Sequence, residues 1–494
     1  MNRLPHGYVV RRDHVDYLDV AGDMVYQPDV YALAGFLAER CGARWIVDIG
    51  CGAAGKLRRF AATYRLMCID HAAALALARD SLGGATFVEC DLEEGLAVID
   101  EEILGSAVVI CADVMEHLRN PEVLARALAR VSGMAPFVLI STPDRDRARG
   151  WLDCGPPANP SHVIEWSAAE FLRFLGDAGF GDLHIHGHTV NTDLQRAKTT
   201  TLVVTGAHAA RPARHSGLRV AAVMHVFNEA DILEEVVRHL FAEGIEVHIF
   251  DNWSSDGSWE IAGALLSAGL ARLVERFPAA PSGEYEWARL LAKTEEYGAG
   301  LEADWVMHHD ADEIRCSPWH GVRLVDAIAA ADGLGYDAID FTVADFRFLR
   351  SRAQAAASFE RALTFFEFGC RPGHYSQIKA WKNRCRVKLA DSGGHAAAFP
   401  ERRIYPLKFL TKHYPLRSFE QAQRKVFRDR IPRTRREHAT HGWHAQYDAF
   451  MEAGAIPGWL PQELIAWHPQ LFLTEYVVER ISGIGLPGSP CDVP

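Results

Sequence analysis

Three things are missing from this sequence. There is no Cys-x-x-Cys pair among its ten cysteines, no excess of positive charge, and no apolar run long enough to cross a bilayer. The first absence excludes a zinc or disulfide framework. Cys68, Cys90 and Cys111 lie in or beside strand-like apolar runs and read as reduced core residues. The second leaves a net charge of −12, so nothing draws the whole chain to nucleic acid, which is not expected as a partner. The third, with a start at Met1–His6 that lacks the apolar stretch of a signal peptide, points to the cytoplasm. What is present is ordinary for a folded chain. At 494 residues, 49% hydrophobic and 23% charged, two or three domains are expected.

Short apolar runs alternate with helical stretches from about residue 30 to 190, the pattern of βαβ units around a parallel sheet. Trp45–Val47, Leu66–Ile69, Thr86–Val88, Ala107–Ile110 and Phe137–Ile140 read as buried strands, and Thr200–Thr205 as a final one. Asn120-Pro121 reads as a capped helix start. Ser167–Glu170 reads as a capping box, on a helix that Gly176 and Gly179 close. Residues 206–217 are small, polar and unpatterned, and read as a linker between a domain of residues 1–205 and one of 218–494. After it the alternation restarts at Arg219–Met224, followed by a helix from Glu229 to Phe241 and a strand at Glu246–Phe250. The two halves show no repeat.

The first candidate site is Val47-Asp48-Ile49-Gly50-Cys51-Gly52 with a lone acid at Asp70. A strand, a glycine-rich turn and a helix present backbone amides to a ligand, and an acid about 20 residues on can bind ribose hydroxyls. With Gly55 included, the spacing alone also admits a nicotinamide dinucleotide site. The wider context is Asp91 after the third strand and Cys111-Ala112-Asp113-Val114-Met115-Glu116-His117-Leu118 after the fourth. Together these resemble class I S-adenosylmethionine-dependent methyltransferases over roughly residues 30 to 205. Ser141–Arg147 and His162–Trp166 resemble the fifth-strand loop and following segment of small-molecule and sugar methyltransferases. The resemblance implies that Asp48, Gly50, Cys51 and Gly52 hold the methionine end and Asp70 the ribose, with Asp91 near the adenine and Asp113 bordering the cofactor. In-line methyl displacement needs positioning and at most one base. Glu116, His117 and His162 are the candidates, and Glu116 and His117 equally suit a plain strand–helix junction.

The second candidate site is Met307-His308-His309-Asp310-Ala311-Asp312-Glu313, where two carboxylates one residue apart can converge on a divalent metal, with oxygen ligands favouring magnesium or manganese. Such an ion neutralises a diphosphate leaving group. Asn228-Glu229 follows this half's first strand, and Asp251-Asn252-Trp253-Ser254-Ser255-Asp256-Gly257 its second. This ordering, over residues 218 to 345, resembles the GT-A glycosyltransferases, most closely family 2. It implies a nucleotide-sugar donor, with Asp251 at the base, Asn228 and Glu229 beside it, and Asp310 and Asp312 serving ribose, diphosphate and metal. Some such enzymes add a later histidine to the metal, which puts forward His395 or His413. No Glu-Asp pair follows residue 345, so the base is unassigned, with Glu360 and Asp391 as bare candidates. The run Arg424–Arg436 suits either a lipid-diphosphate acceptor at an anionic inner leaflet or a solvated helix face.

The expectation is an α/β chain of two domains, a Rossmann-like methyltransferase sheet followed by a GT-A sheet. It would be bifunctional, methylating and glycosylating one glycan or lipid-linked sugar, since a tether raises the effective concentration of one site for the other's product. A chain with one active domain and one glycan-binding scaffold is the alternative, and a glycosylated natural product the alternative substrate.

Overall fold

A computed structural model describes residues 4–468 apart from 14, 16, 18–23, 182–184, 215–216, 351–358, 369–376, 385 and 444–446, together with Val478. The C-terminal extension expected to residue 494 therefore falls, from residue 469 on and save Val478, outside the described residues. The fold is mixed α/β, and the chain divides into two compact units between Arg211 and Pro212.

The first unit holds seven strands: β1 (Trp45–Ile49), β2 (Arg65–Asp70), β3 (Thr86–Glu89), β4 (Ala107–Ala112), β5 (Phe137–Pro143), β6 (Ile185–Val190) and β7 (Lys198–Thr205). They lie in the order β3-β2-β1-β4-β5-β7-β6. Strands β1 to β5 are parallel, while β7 runs antiparallel to β5, and β6 to β7. Every residue of β4 is buried, which is why these strands read as unbroken Val, Ile and Ala runs: both faces of the sheet are covered. Ile69, Val109, Ile140, Trp166 and Phe171 belong to one core cluster. Each such side chain contributes about 1.5–3 kcal/mol relative to exposure.

Local signals hold in part. The helix Ala168–Asp177 opens on the expected capping box, Ser167 and Glu170 bonding reciprocally. Gly176 lies inside that helix, whereas Gly179, at φ 102°, takes the left-handed turn just past it. The helix Pro121–Ser132 starts on its proline, but the Asn120 side chain caps nothing. Its backbone N–H instead donates to Glu93 (3.1 Å), which ties the helix start to the loop after β3. The start of the expected linker is docked rather than free. Ala207 N–H donates to the Ala135 carbonyl (2.8 Å), and the His208 ring meets Phe137 edge-on at 5.7 Å. At Gly206, φ 125°, a Cβ would stand 2.4 Å from the Pro136 oxygen, so only glycine fits there.

The second unit holds β8 (Val220–Val226), β9 (Glu246–Asp251), β10 (Leu273–Arg276), β11 (Trp305–Asp310), β12 (Glu313–Cys316), β13 (Ala338–Phe346), β14 (Phe365–Phe368), β15 (Gln377–Lys382), β16 (Phe409–His413) and β17 (Ile465–Ala466). Their main path is β10-β9-β8-β11-β15-β13-β14-β17, with β16 joining β12 to β13. Strands β8 to β11 are parallel, and β15 enters antiparallel beside β11. The helix begins at Leu233 rather than Glu229: Asn228 stands at φ 57° and residues 230–232 form a turn before it.

In both units the strand order reverses beside the first strand, between β1 and β4 and between β8 and β11. Outside the carboxyl ends of strands, such a reversal leaves a crevice where ligands bind. Among the described residues no helix is long and apolar enough to cross a membrane.

Candidate functional site

In the first unit β1 runs into the glycine turn, with Gly50 at φ 75° and Gly52 at φ 56°, values that L side chains rarely adopt. A Cβ on Gly50 would stand 2.3 Å from Val114 Cγ2. The Asp70 carboxylate, at the end of β2, accepts N–H bonds from Gly52 (2.8 Å) and His71 (2.7 Å). The turn opens onto a cavity of about 780 Å³ lined by Gly50, Gly52, Asp70, Asp91 and Asp113 among others. Five of the residues put forward for cofactor binding thus meet in one cavity.

Asp48 and Cys51 do not line it. Both are fully buried, and the Tyr31 hydroxyl donates to Asp48 Oδ2 (2.8 Å). Burial pushes the Asp48 carboxyl up to about 6, against the opposing pull of Lys56 and Tyr31. These two residues brace the turn from behind. Asp91 is exposed and turned onto the Glu93 amide (2.9 Å). Asp113 adopts φ 53° and is held by Ser141 Oγ (2.8 Å) and by the Gln27 amide. Gln27, which also lines the cavity, carried no sequence signal except its place before Pro28.

Glu116, His117 and His162 converge, each offering one ligand atom within 4.8 Å of the others. The two imidazoles meet edge-to-face at 4.8 Å and both line the cavity. Burial and then Asp113 push the Glu116 carboxyl well above its ordinary range.

In the second unit the predicted residues gather at the other strand reversal. Asn228, at φ 57°, accepts from Ser255 N–H (2.8 Å). Glu229 is buried between Arg417 (2.5 Å) and Lys425 (2.7 Å). Asp251, at the end of β9, is buried and accepts from Ser254 N–H, while Arg276, 3.8 Å away, lies between the rings of Trp253 and Trp259 at 4.4 and 4.6 Å. Lys379 on β15 bonds Asp310 (2.6 Å), and Lys425 bonds Asp312 (2.6 Å). Burial would raise both acids. Lys379 and His308 overcome it at Asp310, and Lys425 and His413 at Asp312, so both stay ionised.

His395 is exposed on its loop, and the histidine beside Asp312 is His413 (3.7 Å). His413 also bonds Asp345 (2.6 Å), which the β13–β16 register sets directly opposite it. Glu360 pairs with Lys412 (3.0 Å) and Asp391 is exposed near Lys388, so neither points to a base. The basic run is neither a uniform lipid-facing surface nor a solvated face. Lys425 is buried, Arg430 sits over Tyr285 at 4.2 Å and Arg433 over Phe227 at 3.9 Å, while Arg428, Arg435 and Arg436 face outward.

The donor set at Asp310 and Asp312 is right for a hard cation, but each carboxylate is already neutralised by a lysine. A divalent ion would have to displace two ammonium groups, so in this arrangement the residues do not fit a resident metal.

His413 gives this cluster a pH signature. Burial disfavours its charged form, yet Asp312 and Asp345 raise it to about 10. A raised histidine contributes stability that is complete below its ordinary value near 6.5 and lost as pH rises through about 10. His413→Gln should therefore cost most at pH 6.5 and progressively less toward pH 10, measured as urea midpoints against the parent chain. A gap independent of pH would contradict the assignment.

No protein-family model matches the chain. Two Mycobacterium tuberculosis proteins described as probable S-adenosylmethionine-dependent methyltransferases, Rv3030 and MT3114, are each 31% identical to it over 153 residues. That stretch is 31% of this chain and 54% of theirs, so the chain spans about half the length of these curated relatives. Among solved structures, the plantazolicin methyltransferase BamL, in complex with a triazolic desmethylPZN analogue and S-adenosylhomocysteine, is 12% identical, covering 36% of this chain and 85% of that one, with a TM-score of 0.28. An S-adenosylmethionine-dependent methyltransferase from Mesorhizobium loti is 19% identical, covering 35% and 94%, at TM-score 0.27. The N-terminal part of the chain thus matches S-adenosylmethionine-dependent methyltransferases.

Proposed function

We propose that the first unit transfers a methyl group from S-adenosylmethionine to a hydroxyl oxygen of a sugar or glycan. The observation that carries this is the Gly50–Gly52 turn and the Asp70 carboxylate opening together onto one cavity, in the part of the chain that matches methyltransferases. In this reaction the methyl carbon–sulfur bond breaks and a carbon–oxygen bond forms. Sulfur keeps the electron pair, giving S-adenosylhomocysteine, and the hydroxyl proton passes to His117 or His162 or through them to water.

The second unit, in this reading, transfers a sugar from a nucleotide-sugar. Support comes from the acids at its strand reversal and the cations packed among them, Lys379, Arg417, Arg424, Lys425 and Arg430. Fixed positive charge of this kind can stabilise a departing diphosphate. A divalent cation would enter only by displacing Lys379 and Lys425 from their carboxylates. The acceptor would be a glycan or lipid-linked sugar of a bacterial surface polysaccharide, handled in the cytoplasm or at the inner face of the membrane.

Incubating the full chain with labelled S-adenosylmethionine and sugar acceptors, and separately with nucleotide-sugars, tests both halves. Asp312→Ala should abolish release of the nucleoside diphosphate, by more than ~100-fold, while sparing methyl transfer. Unchanged turnover in that variant would remove Asp312 from the sugar-transfer site.

A further inference from the structure

The cluster at the wall of the first cavity is more ordered than a general base requires. His117 Nδ1 lies 2.8 Å from the Ser161 carbonyl, which can only accept, so Nδ1 carries the proton and the lone pair sits on Nε2. His162 Nδ1 lies 2.7 Å from Glu165 Oε1, which likewise places the lone pair on Nε2, where the Asn159 amide now donates (2.9 Å) and an ion would take its place. An outer oxygen fixing each ring's tautomer is the arrangement that supports metal-ligating histidines. The third member, Glu116, is fully buried. Its Oε2 accepts from Thr142 (3.2 Å), while its Oε1 has no hydrogen-bond partner. Burying an unpartnered carboxylate oxygen is costly, and a cation is the partner that would relieve it. Among the described residues this is the single group of three or more such side chains whose ligand atoms come within range of one ion.

We propose that Glu116, His117 and His162 form a divalent-metal site on the wall of the S-adenosylmethionine cavity. Two imidazoles and one carboxylate favour a borderline ion such as Mn²⁺, Co²⁺ or Zn²⁺ over Mg²⁺ or Ca²⁺. A tetrahedral ion at ordinary bond lengths holds its ligand atoms ~3.4 Å apart. The three atoms, within 4.8 Å of one another, would therefore close in modestly on binding. Three protein ligands leave a position open toward the cavity, where an acceptor hydroxyl could bind and lose its proton more easily to water, the two coordinated imidazoles then acting as ligands rather than as bases. That role for the ion rests on the methyl-transfer reading above, whereas its binding does not.

The test is titration of the chelator-treated full chain with Co²⁺ alone, followed by visible absorption, and with Mn²⁺ by calorimetry. One equivalent with the spectrum of mixed imidazole and carboxylate ligands is expected. His117→Gln and His162→Gln should each weaken it by at least ~100-fold, the upper end of what losing a mere outer-shell partner costs. Asp312→Asn should leave this equivalent in place. Circular dichroism and thermal melts of each variant show that the fold persists. No metal uptake by the parent chain, or uptake by a folded His162→Gln that equals the parent's, would overturn the proposal. A parallel titration of the parent chain with S-adenosylhomocysteine separates the two readings, because failure there counts against methyl transfer and leaves the metal result standing.

Discussion

Replacing Gly50 with arginine is expected to lower the affinity for S-adenosylhomocysteine by on the order of 100-fold or more, read by calorimetry on the full chain. Two independent effects act at this position. The backbone sits at φ 75°, which costs any L residue about 1–2 kcal/mol. A Cβ would also press to 2.3 Å from Val114 Cγ2, and Val114 itself lines the cavity. The remaining arginine atoms would have to enter the space where the cofactor's methionine end is proposed to lie. Release of nucleoside diphosphate from a sugar donor should persist, since the clash is confined to the first unit. An unchanged affinity would detach the glycine turn from the cofactor. Loss of both activities in a variant that still folds would break the two-site reading.

The second large effect is expected at Lys425. Its ammonium group is buried and bonds both Glu229 (2.7 Å) and Asp312 (2.6 Å). Lys425→Met keeps much of the apolar stem but strands two buried carboxylates, of which Glu229 retains Arg417 and Asp312 retains His413. Breaking one partner of a buried pair costs about 3–5 kcal/mol. The remaining cations put this case at the low end, and urea denaturation of the full chain should show it. Donor turnover should fall with it, because the side chain that holds Asp312 in place is gone. A variant as stable as the parent would mean that the two acids repartner without cost.

The strands were legible because they are buried on both faces. Trp45–Val47, Leu66–Ile69 and Ala107–Ile110 have little but apolar residues to show, and each lies within an observed strand. β6 escaped notice because Ile185-His186-Gly187-His188-Thr189-Val190 mixes glycine and two histidines into an edge strand whose pattern is set by pairing with β7. The residues proposed for the cofactor at Gly50, Gly52 and Asp70 could be read from spacing, since a turn and the next strand end are local facts. Partners brought from far along the chain could not. Lys379 reaches Asp310 across 69 residues and Lys425 reaches Asp312 across 113. Nothing in a basic run tells which of its charges turn inward. The same limit explains His395: spacing offered several histidines, and only the strand register of β16 with β13 and β12 selects His413.

The bonds that Asp70 accepts from Gly52 and His71 bear on affinity as well as position. Freezing a flexible side chain on association ordinarily costs about 0.5–1.5 kcal/mol. Here two backbone amides fix the carboxylate as the chain folds, so a ligand meets it preorganised. The same amides occupy the near lone pairs of both oxygens, leaving the outward ones for the ribose diol of the proposed cofactor. An amide in that position, as in Asp70→Asn, could satisfy only one of the two donors and would turn its NH2 group against the other.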